Sequence, residues 1–163
     1  MVIDMTLLET RKKYNVSQVE VASLLGVPVR TYIRYEKNNN YGNKLKRKMM
    51  IDFIDSNYEV TEQKGILSLD YIKTELTKLF DDKFKGEIEF CYLFGSYAKG
   101  YATDISDIDL CVSSSLTGLR IIGLTEAIRN VLHKKIDLVR FDTLKDNLEL
   151  LVEIMKDGIK IYG

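Results

Sequence analysis

The segment 93-LFGSYAKGYATDISDIDLCV-112 holds the residue types that phosphate and metal chemistry require. Gly95 and Ser96 directly follow an apolar run. Glycine lets backbone N–H groups approach a phosphate, and the serine hydroxyl is a further donor. Ten residues separate Ser96 from Asp107, and Asp109 follows two positions later. Because side chains alternate along a strand, the two carboxylates are expected on one face, where a Mg²⁺ or Mn²⁺ ion relieves their repulsion.

A third carboxylate, Asp137, lies in the apolar run 136-IDLVRF-141. If this run and 108-IDLCV-112 are neighbouring strands, Asp137 stands beside Asp109. Three carboxylates around two metal ions suit in-line phosphoryl or nucleotidyl transfer, because the metals stabilise the attacking and leaving oxygens. The third carboxylate is also placed to accept the proton of the attacking hydroxyl.

Each of these features has a simpler structural explanation when it is taken alone. Asp-x-Asp at the start of a strand is more often a loop end or a cap than a metal site. Gly-Ser after a strand is most often a tight turn, and Lys99, a candidate phosphate contact, is more often a solvated side chain. His133, the only histidine, lies at a predicted helix end, where a dipole contact or simple exposure explains it better than catalysis. Only the combination indicates a transfer site.

Residues 68–163 alternate between helical and strand-like patterns, which predicts a small α/β domain with at least three strands. The predicted strands are 88–94, 108–112 and 136–141, and the predicted helices are 68–84, 118–134 and 144–158, the last capped by Thr143. Cys91 and Cys111 fall inside apolar strand-like runs, so we expect buried thiols rather than a disulfide or a zinc site.

Residues 4–58 show helical patterns throughout, which predicts an all-α bundle. Ser17 is a good N-cap for the second helix, and Gly26 is a typical residue at its end. Pro28 fits the first turn of the third helix, where its missing N–H costs nothing. A fourth helix is predicted over 44–58.

The N-terminal region is strongly basic within a chain of zero net charge. Residues 11–48 hold ten Lys or Arg and only two Glu, a local net charge of +8. Phosphate neutralisation by such side chains supplies most nonspecific affinity for nucleic acids. A solvated helical face is the simpler explanation of the charge alone.

The stretch 17-SQVEVASLLGVPVRTYIRYEKN-38 resembles the helix-turn-helix of Cro/repressor-type (XRE-like) proteins, and the likeness covers about residues 4–58. It implies that the second motif helix enters the major groove of DNA, with a homodimer needed to reach two half-sites. The residues expected at bases or phosphates by position are Gln18, Val29, Arg30, Thr31 and Arg34. Protein docking and a purely structural bundle stay open as alternatives.

Gly-Ser, ten intervening residues and Asp-x-Asp, followed by 134-KKIDLVRF-141 and 153-EIMKDGIKIYG-163, resemble the polymerase β-type nucleotidyltransferases, most closely their minimal nucleotidyltransferase (MNT) branch. The likeness spans residues 68–163. It implies that ATP is the substrate and that Mg²⁺ is the metal. The implied triphosphate ligands are Gly95, Ser96 and Lys99, and the implied metal-binding and catalytic residues are Asp107, Asp109 and Asp137. Many relatives have arginine at the position of Lys99. A lysine can still contact a phosphate there, but only as a point charge without the bidentate geometry of arginine.

The expected organisation is therefore a helix-turn-helix domain over 1–60, a linker over 61–67 and an α/β nucleotidyltransferase domain with a small mixed sheet over 68–163. The α/β region leaves no segment for binding an acceptor, so the acceptor is expected on another molecule. The MNT resemblance implies a HEPN-type toxin as partner, modified with AMP on a tyrosine, and an antitoxin that also binds operator DNA. A regulator whose transferase fold only docks a partner or senses nucleotide is one alternative, and an aminoglycoside-type nucleotidyltransferase is the other.

No apolar run reaches the roughly 18 residues of a membrane-spanning helix. In the N-terminal stretch MVIDMTLLETRKK the acid and the apolar patch precede the basic residues, which is the wrong order for a signal peptide. We therefore expect a cytoplasmic protein without membrane contacts.

Overall fold

The computed structural model of the protein describes residues 5–163, so the first residues of the predicted segment 4–58 and of the predicted domain 1–60 lie outside it. The chain forms two compact units. One consists of the residues up to Val60 with Gly65–Ser68, and the other of Thr61–Lys64 with Leu69–Gly163.

Between Met5 and Val60, the first unit contains four α-helices. They are α1 (Leu7–Lys13), α2 (Gln18–Leu25), α3 (Val29–Lys37) and α4 (Lys44–Tyr58). Ser17 caps α2 by accepting from the backbone N–H of Glu20 at 3.1 Å, and Gly26 ends it with a left-handed φ of 64°. Both predictions are confirmed. Pro28 lies one position earlier than predicted, because it is the N-cap of α3 rather than its first residue.

A buried carboxylate joins three helices of the first unit. Arg11 on α1 donates to both oxygens of Glu36 on α3, at 2.7 and 2.8 Å. Gln18 on α2 donates to the same carboxylate at 2.9 Å. Burial opposes the ionisation of Glu36, but these hydrogen bonds outweigh it and lower the pKa of the carboxyl group.

Arg47 on α4 stabilises the connection between α3 and α4. Its side chain is buried, and its guanidinium donates to the carbonyl oxygens of Asn38, Asn39 and Tyr41 at 2.8, 2.5 and 2.7 Å. These carbonyls belong to the asparagine-rich turn after α3. Arg11 and Arg47 therefore have structural roles, which the count of basic residues in 11–48 did not distinguish.

The second unit is built on a mixed four-stranded sheet in the order β3-β2-β1-β4. Its strands are β1 (Ile88–Phe94), β2 (Ile108–Ser114), β3 (Ile136–Arg140) and β4 (Ile159–Tyr162). Strand β1 is antiparallel to β2 and β4, whereas β2 and β3 are parallel. The predicted mixed sheet is confirmed.

Helices and a short 3₁₀ helix surround this sheet. They are α5 (Leu69–Lys83), α6 (Gly95–Lys99), α7 (Leu119–Leu132) and α8 (Leu148–Asp157), with the 3₁₀ helix at Phe141–Asp146. Alternate residues of β2, beginning with Ile108, are buried on one face of the sheet. On the other face Cys111 packs in a cluster with Phe94, Leu144 and Ile154. Both faces of the sheet are therefore covered, and α8 is fixed to the second one.

The predicted helix 144–158 is wrong at its start. The 3₁₀ helix Phe141–Asp146 comes first, and α8 begins after Asn147, whose side chain accepts from the backbone N–H of Leu150 at 3.1 Å. Thr143 is not the cap, because its hydroxyl donates to the carbonyl oxygen of Arg140 at 2.7 Å. The tight turn brings Leu144 into the core cluster, which overrides the local capping preference.

Cys91 and Cys111 are free, buried thiols, as predicted. Burial raises the pKa of the Cys111 thiol to about 11. Within residues 5–163, none of the helices has both the length and the apolar character that a membrane crossing requires.

Candidate active site

The candidate site lies where β1 ends and β2 begins. Gly95 follows β1 as the first residue of α6 and has a φ of 69°, a conformation that favours glycine. The antiparallel register sets Phe94 opposite Asp109. A Cβ atom at Gly95 would collide with the Oδ2 atom of Asp109. Glycine is therefore needed both for the turn and for the close approach of this carboxylate.

The parallel register of β2 and β3 sets Asp109 opposite Asp137, as the sequence predicts for neighbouring strands. Asp107 immediately precedes β2, and its Oδ2 atom forms an ion pair with the Nζ atom of Lys135 at 2.9 Å. The structure thus brings the three predicted acids to one end of the sheet, beside the Gly-Ser turn.

The charges at this end of the sheet act most strongly on Asp109. Burial raises the pKa of its carboxyl group, and the negative charges of Asp137, Asp107 and Glu153 raise it further, to about 6. A raised carboxyl pKa in a partly buried cluster of acids is typical of functional sites. Glu153, on α8, was not among the residues that the sequence identified.

The donor set fits a divalent cation by its chemistry. Within residues 5–163, no three Asp, Glu, His or Cys side chains already stand together as metal ligands. However, carboxylate oxygens are the ligands that Mg²⁺ prefers. Burial first, and then the negative charges of neighbouring acids, raise the pKa of Asp109, and a bound cation would offset both. The residues that would hold the ion are Asp107, Asp109 and Asp137, and Asp107 would exchange its contact with Lys135 for the metal.

Lys99, at the end of α6, already has a carboxylate partner. Its Nζ atom lies 2.6 Å from the Oε1 atom of Glu153 on α8. This hydrogen bond raises the pKa of the Lys99 ammonium. Ser96 lies in the same short helix and is partly exposed, and its carbonyl oxygen accepts from the backbone N–H of Tyr101 at 3.1 Å. The Gly-Ser turn and the loop after it are thereby tied together.

Two adjacent lysines hold the loop that leads into Asp107. Lys134 is completely buried, and its ammonium donates to the carbonyl oxygen of Asp104 at 2.5 Å. Lys135 binds the Asp107 side chain, and its carbonyl oxygen accepts from the N–H of Ile108 at 2.9 Å. Lys134 was missed because a lysine pair at a helix end has the pattern of a solvated turn. His133 is exposed and ends α7 in a left-handed conformation, with a φ of 54°.

The sequence profile of the family described as "Polymerase beta, Nucleotidyltransferase" matches residues 74–163. The chain belongs to this family. In this nucleotidyltransferase the matched region includes every strand of the described sheet and all residues of the site. No curated protein is similar enough to the chain to count as a match.

Several solved structures resemble this nucleotidyltransferase over part of its length. A toxin–antitoxin structure with AMP-PNP is 26% identical, with a TM-score of 0.49, covering 56% of this chain and 73% of the other. A tri-AMPylated Shewanella oneidensis HEPN toxin in complex with an MNT antitoxin is 23% identical, with a TM-score of 0.45, and the match covers 58% of this chain and 71% of the other. The toxin–antitoxin MntA-HepT is 22% identical, with a TM-score of 0.44, and the match covers 58% of this chain and 72% of the other. At these TM-scores the likeness decides neither activity nor partner.

The residues predicted to contact DNA lie on α2 and α3 of the first unit. Arg30 and Arg34 are exposed and one helical turn apart on α3, while Val29 and Thr31 are partly exposed. Gln18 opens α2, where its amide nitrogen donates to Glu36. Only the two arginines of this set present exposed side chains.

Replacing Gly95 with alanine is expected to abolish nucleotide transfer. Gly100→Ala is the matched control, because Gly100 also has a positive φ, 81°, but no atom lies within 4 Å of its added Cβ. Both variants lose about 1 kcal/mol of folding free energy to backbone strain. Only Gly95→Ala displaces the Asp109 carboxylate. Thermal unfolding and a nucleotide-transfer assay on both variants check this, and equal activity losses would contradict the role of the contact.

The raised pKa of Asp109 predicts a pH-dependent stability effect in metal-free protein. Between its ordinary value of 3.8 and about 6, the folded state keeps a proton that the unfolded chain has released. The contribution of Asp109 to the free energy of unfolding therefore falls as pH rises through this window and stays low above it. Asp109→Asn removes this loss, so its unfolding temperature should exceed that of the wild type by about 3 °C at pH 8.

At pH 4 the two proteins should unfold at the same temperature, because Asp109 is then largely protonated in the folded state. Asp82→Asn, which neutralises an exposed acid on α5, controls for the change in net charge. Added Mg²⁺ should stabilise the wild type more than Asp109→Asn at pH 8. If the unfolding temperatures of the wild type and Asp109→Asn changed in parallel with pH, the pKa of Asp109 would not be raised in the folded protein.

Proposed function

We propose that this protein is a Mg²⁺-dependent nucleotidyltransferase that moves AMP from ATP to a tyrosine hydroxyl of a HEPN-type toxin, and that it acts as the antitoxin. The observation that carries the transfer chemistry is the contact of Asp109 with Gly95, with Asp137 paired opposite Asp109. This arrangement puts carboxylates for a metal directly beside the turn proposed to hold the triphosphate.

The proposed reaction is an in-line displacement at the α-phosphorus of ATP. The acceptor oxygen forms the new bond to phosphorus, the bond to the β-phosphate bridging oxygen breaks, and pyrophosphate leaves. Asp137 is proposed to accept the proton of the attacking hydroxyl. Asp107, Asp109 and Asp137 would hold the metal, which would supply neutralisation of the negative charge on the transferred group. Gly95 and Ser96 contact the triphosphate through backbone N–H and hydroxyl groups, and Lys99 contacts it as a point charge.

The acceptor is proposed from the sequence resemblance of residues 68–163 to the MNT branch, in which HEPN toxins are the partners. Members of one fold modify many kinds of acceptor. The acidic site itself fits any hydroxyl group that can be brought to the α-phosphate. A labelling experiment therefore tests the identity of the acceptor.

The first unit is proposed to bind operator DNA through its α2–turn–α3 segment. The exposed Arg30 and Arg34 are the main candidates for base or phosphate contacts, with Val29 and Thr31 beside them. The second N–H of the Gln18 amide is the group proposed to meet a phosphate at the start of α2. Two such units in a homodimer would reach half-sites about 34 Å apart.

Labelled AMP is expected to appear on one protein when the purified enzyme, Mg²⁺ and ATP labelled in the α-phosphate are mixed with a HEPN-type toxin encoded beside it. The double variant Asp107→Asn, Asp109→Asn should lower transfer by at least about 100-fold, because the metal ligands are lost. Replacement of the labelled tyrosine of the acceptor by phenylalanine should remove the signal. The Gly100→Ala variant serves as an active control.

Two other outcomes of this assay would replace the proposal. Label on an aminoglycoside but on no protein would establish a small-molecule nucleotidyltransferase. Absence of any transfer, together with retardation of promoter DNA by the wild type, would establish a regulator whose transferase fold docks a partner or senses nucleotide.

Substitution of Arg30 or Arg34 by alanine should weaken binding to the protein's own promoter DNA about tenfold, which corresponds to loss of one base or phosphate contact. Lys12→Ala removes the same charge from an exposed position on α1 and is the matched control. Gel retardation across a salt series measures the effect. If Lys12→Ala weakens binding as much as the arginine variants, the basic charge acts nonspecifically and α3 is not the recognition helix.

A further inference from the structure

We propose that Glu153 is a positioning residue that regulates nucleotide binding by competing with the phosphates of ATP for Lys99. This inference rests on the proposed function, specifically on the phosphate contact of Lys99. It adds a residue of α8 that lies outside the Gly-Ser and Asp-x-Asp motifs.

The ion pair connects two elements that are distant in the sequence. The Nζ atom of Lys99 at the end of α6 lies 2.6 Å from the Oε1 atom of Glu153, 54 residues later on α8. The exposed fractions of the two side chains are 30% and 35%, so a ligand from solvent can reach both. A charge-assisted hydrogen bond of this length is short enough to hold the lysine in one orientation.

The backbones on both sides of the ion pair are fixed. The next residue after Glu153, Ile154, is buried in the cluster with Phe94 and Cys111, which holds α8 against the sheet. Lys99 ends the short helix that begins at Gly95, and the backbone N–H of Gly100 donates to the carbonyl oxygen of Ser96. Exchange of the Lys99 ammonium between Glu153 and a phosphate therefore requires side-chain rotation only.

The charge of Glu153 also acts on the metal end of the site. It is one of the negative charges that oppose ionisation of Asp109, together with Asp137 and Asp107. Tyr101 and Asp157 are the other titratable groups whose charges act on Lys99. Glu153 thus neutralises the positive charge of Lys99 in the proposed phosphate site, which disfavours a triphosphate before ATP arrives.

The consequence is that the Lys99 ammonium is neutralised by Glu153 before a nucleotide binds. ATP with its metal must displace Glu153 from Lys99, and the freed carboxylate is then left beside solvent on α8. Removing the carboxylate should therefore strengthen nucleotide binding. If Glu153 instead oriented Lys99 towards the phosphate, removing it would weaken binding, so the sign of the change decides between the two roles.

The test is a double-mutant cycle on the full-length protein with ATP and Mg²⁺. The dissociation constant of ATP is measured by calorimetry for wild type, Glu153→Gln, Lys99→Met and the double variant. Glu153→Gln should bind ATP about 3- to 10-fold more tightly than wild type, in the range expected for loss of one partly exposed ion pair. In the Lys99→Met background the same substitution should change the affinity less than about twofold.

Glu87→Gln is the matched control, because Glu87 forms an ion pair of the same length, 2.6 Å, with Arg120 in the same unit. It should leave the affinity for ATP unchanged. The gain in Glu153→Gln should shrink as salt is raised, since both partners are partly exposed.

An unchanged or lower affinity in Glu153→Gln overturns the inference, and so does a gain that persists without Lys99. These failures are distinguishable from failure of the proposed function. If the wild type binds ATP and transfers AMP while Glu153→Gln shows no gain, only the role of Glu153 is rejected. If neither protein binds ATP, the nucleotidyltransferase proposal is rejected with it.

Discussion

The close approach of the Asp109 carboxylate to the backbone at Gly95 is the contact on which the candidate site depends. It exists because the antiparallel register sets Phe94 opposite Asp109, and because the next residue has no Cβ atom. The parallel register then adds Asp137 on the other side. Both registers are fixed by apolar strand faces, since a slip of one residue would turn every side chain to the opposite face. Burial of the core therefore holds together acids that repel one another.

Around these acids, three lysines have different physical roles. The ammonium of Lys134 is buried and binds a backbone carbonyl, so it shapes the loop before Asp107. Lys135 and Lys99 are closer to solvent and neutralise Asp107 and Glu153 respectively. These two contacts neutralise Asp107 and Glu153, while Asp109 stays subject to burial and to the negative charges of its neighbours. Binding of a metal and a triphosphate would redistribute the partners without rearranging the sheet.

In the first unit, too, some basic side chains form hydrogen bonds within the fold and others are exposed to solvent. Arg11 and Arg47 are used within the fold, one on the Glu36 carboxylate and the other on the carbonyl oxygens of the asparagine-rich turn. Arg30 and Arg34 are exposed on α3. The local net charge of the region therefore overstates the number of side chains that could neutralise DNA phosphates. Which basic residues remain for a ligand depends on the buried carboxylate and carbonyl groups that the others satisfy.

The sequence by itself determined three of the four strands, most helix limits and the three acids beside the Gly-Ser turn, because strand alternation, caps and glycine preferences are local properties. The strand 88–94 and the helix 44–58 have the predicted limits. Only the tertiary structure decided that Leu144 enters the core through a 3₁₀ turn, and that Lys134 is buried. It also decided that Glu153 reaches Lys99 across 54 residues. These contacts join elements that the chain brings together only when the sheet and its covering helices pack, so no spacing in the sequence encodes them.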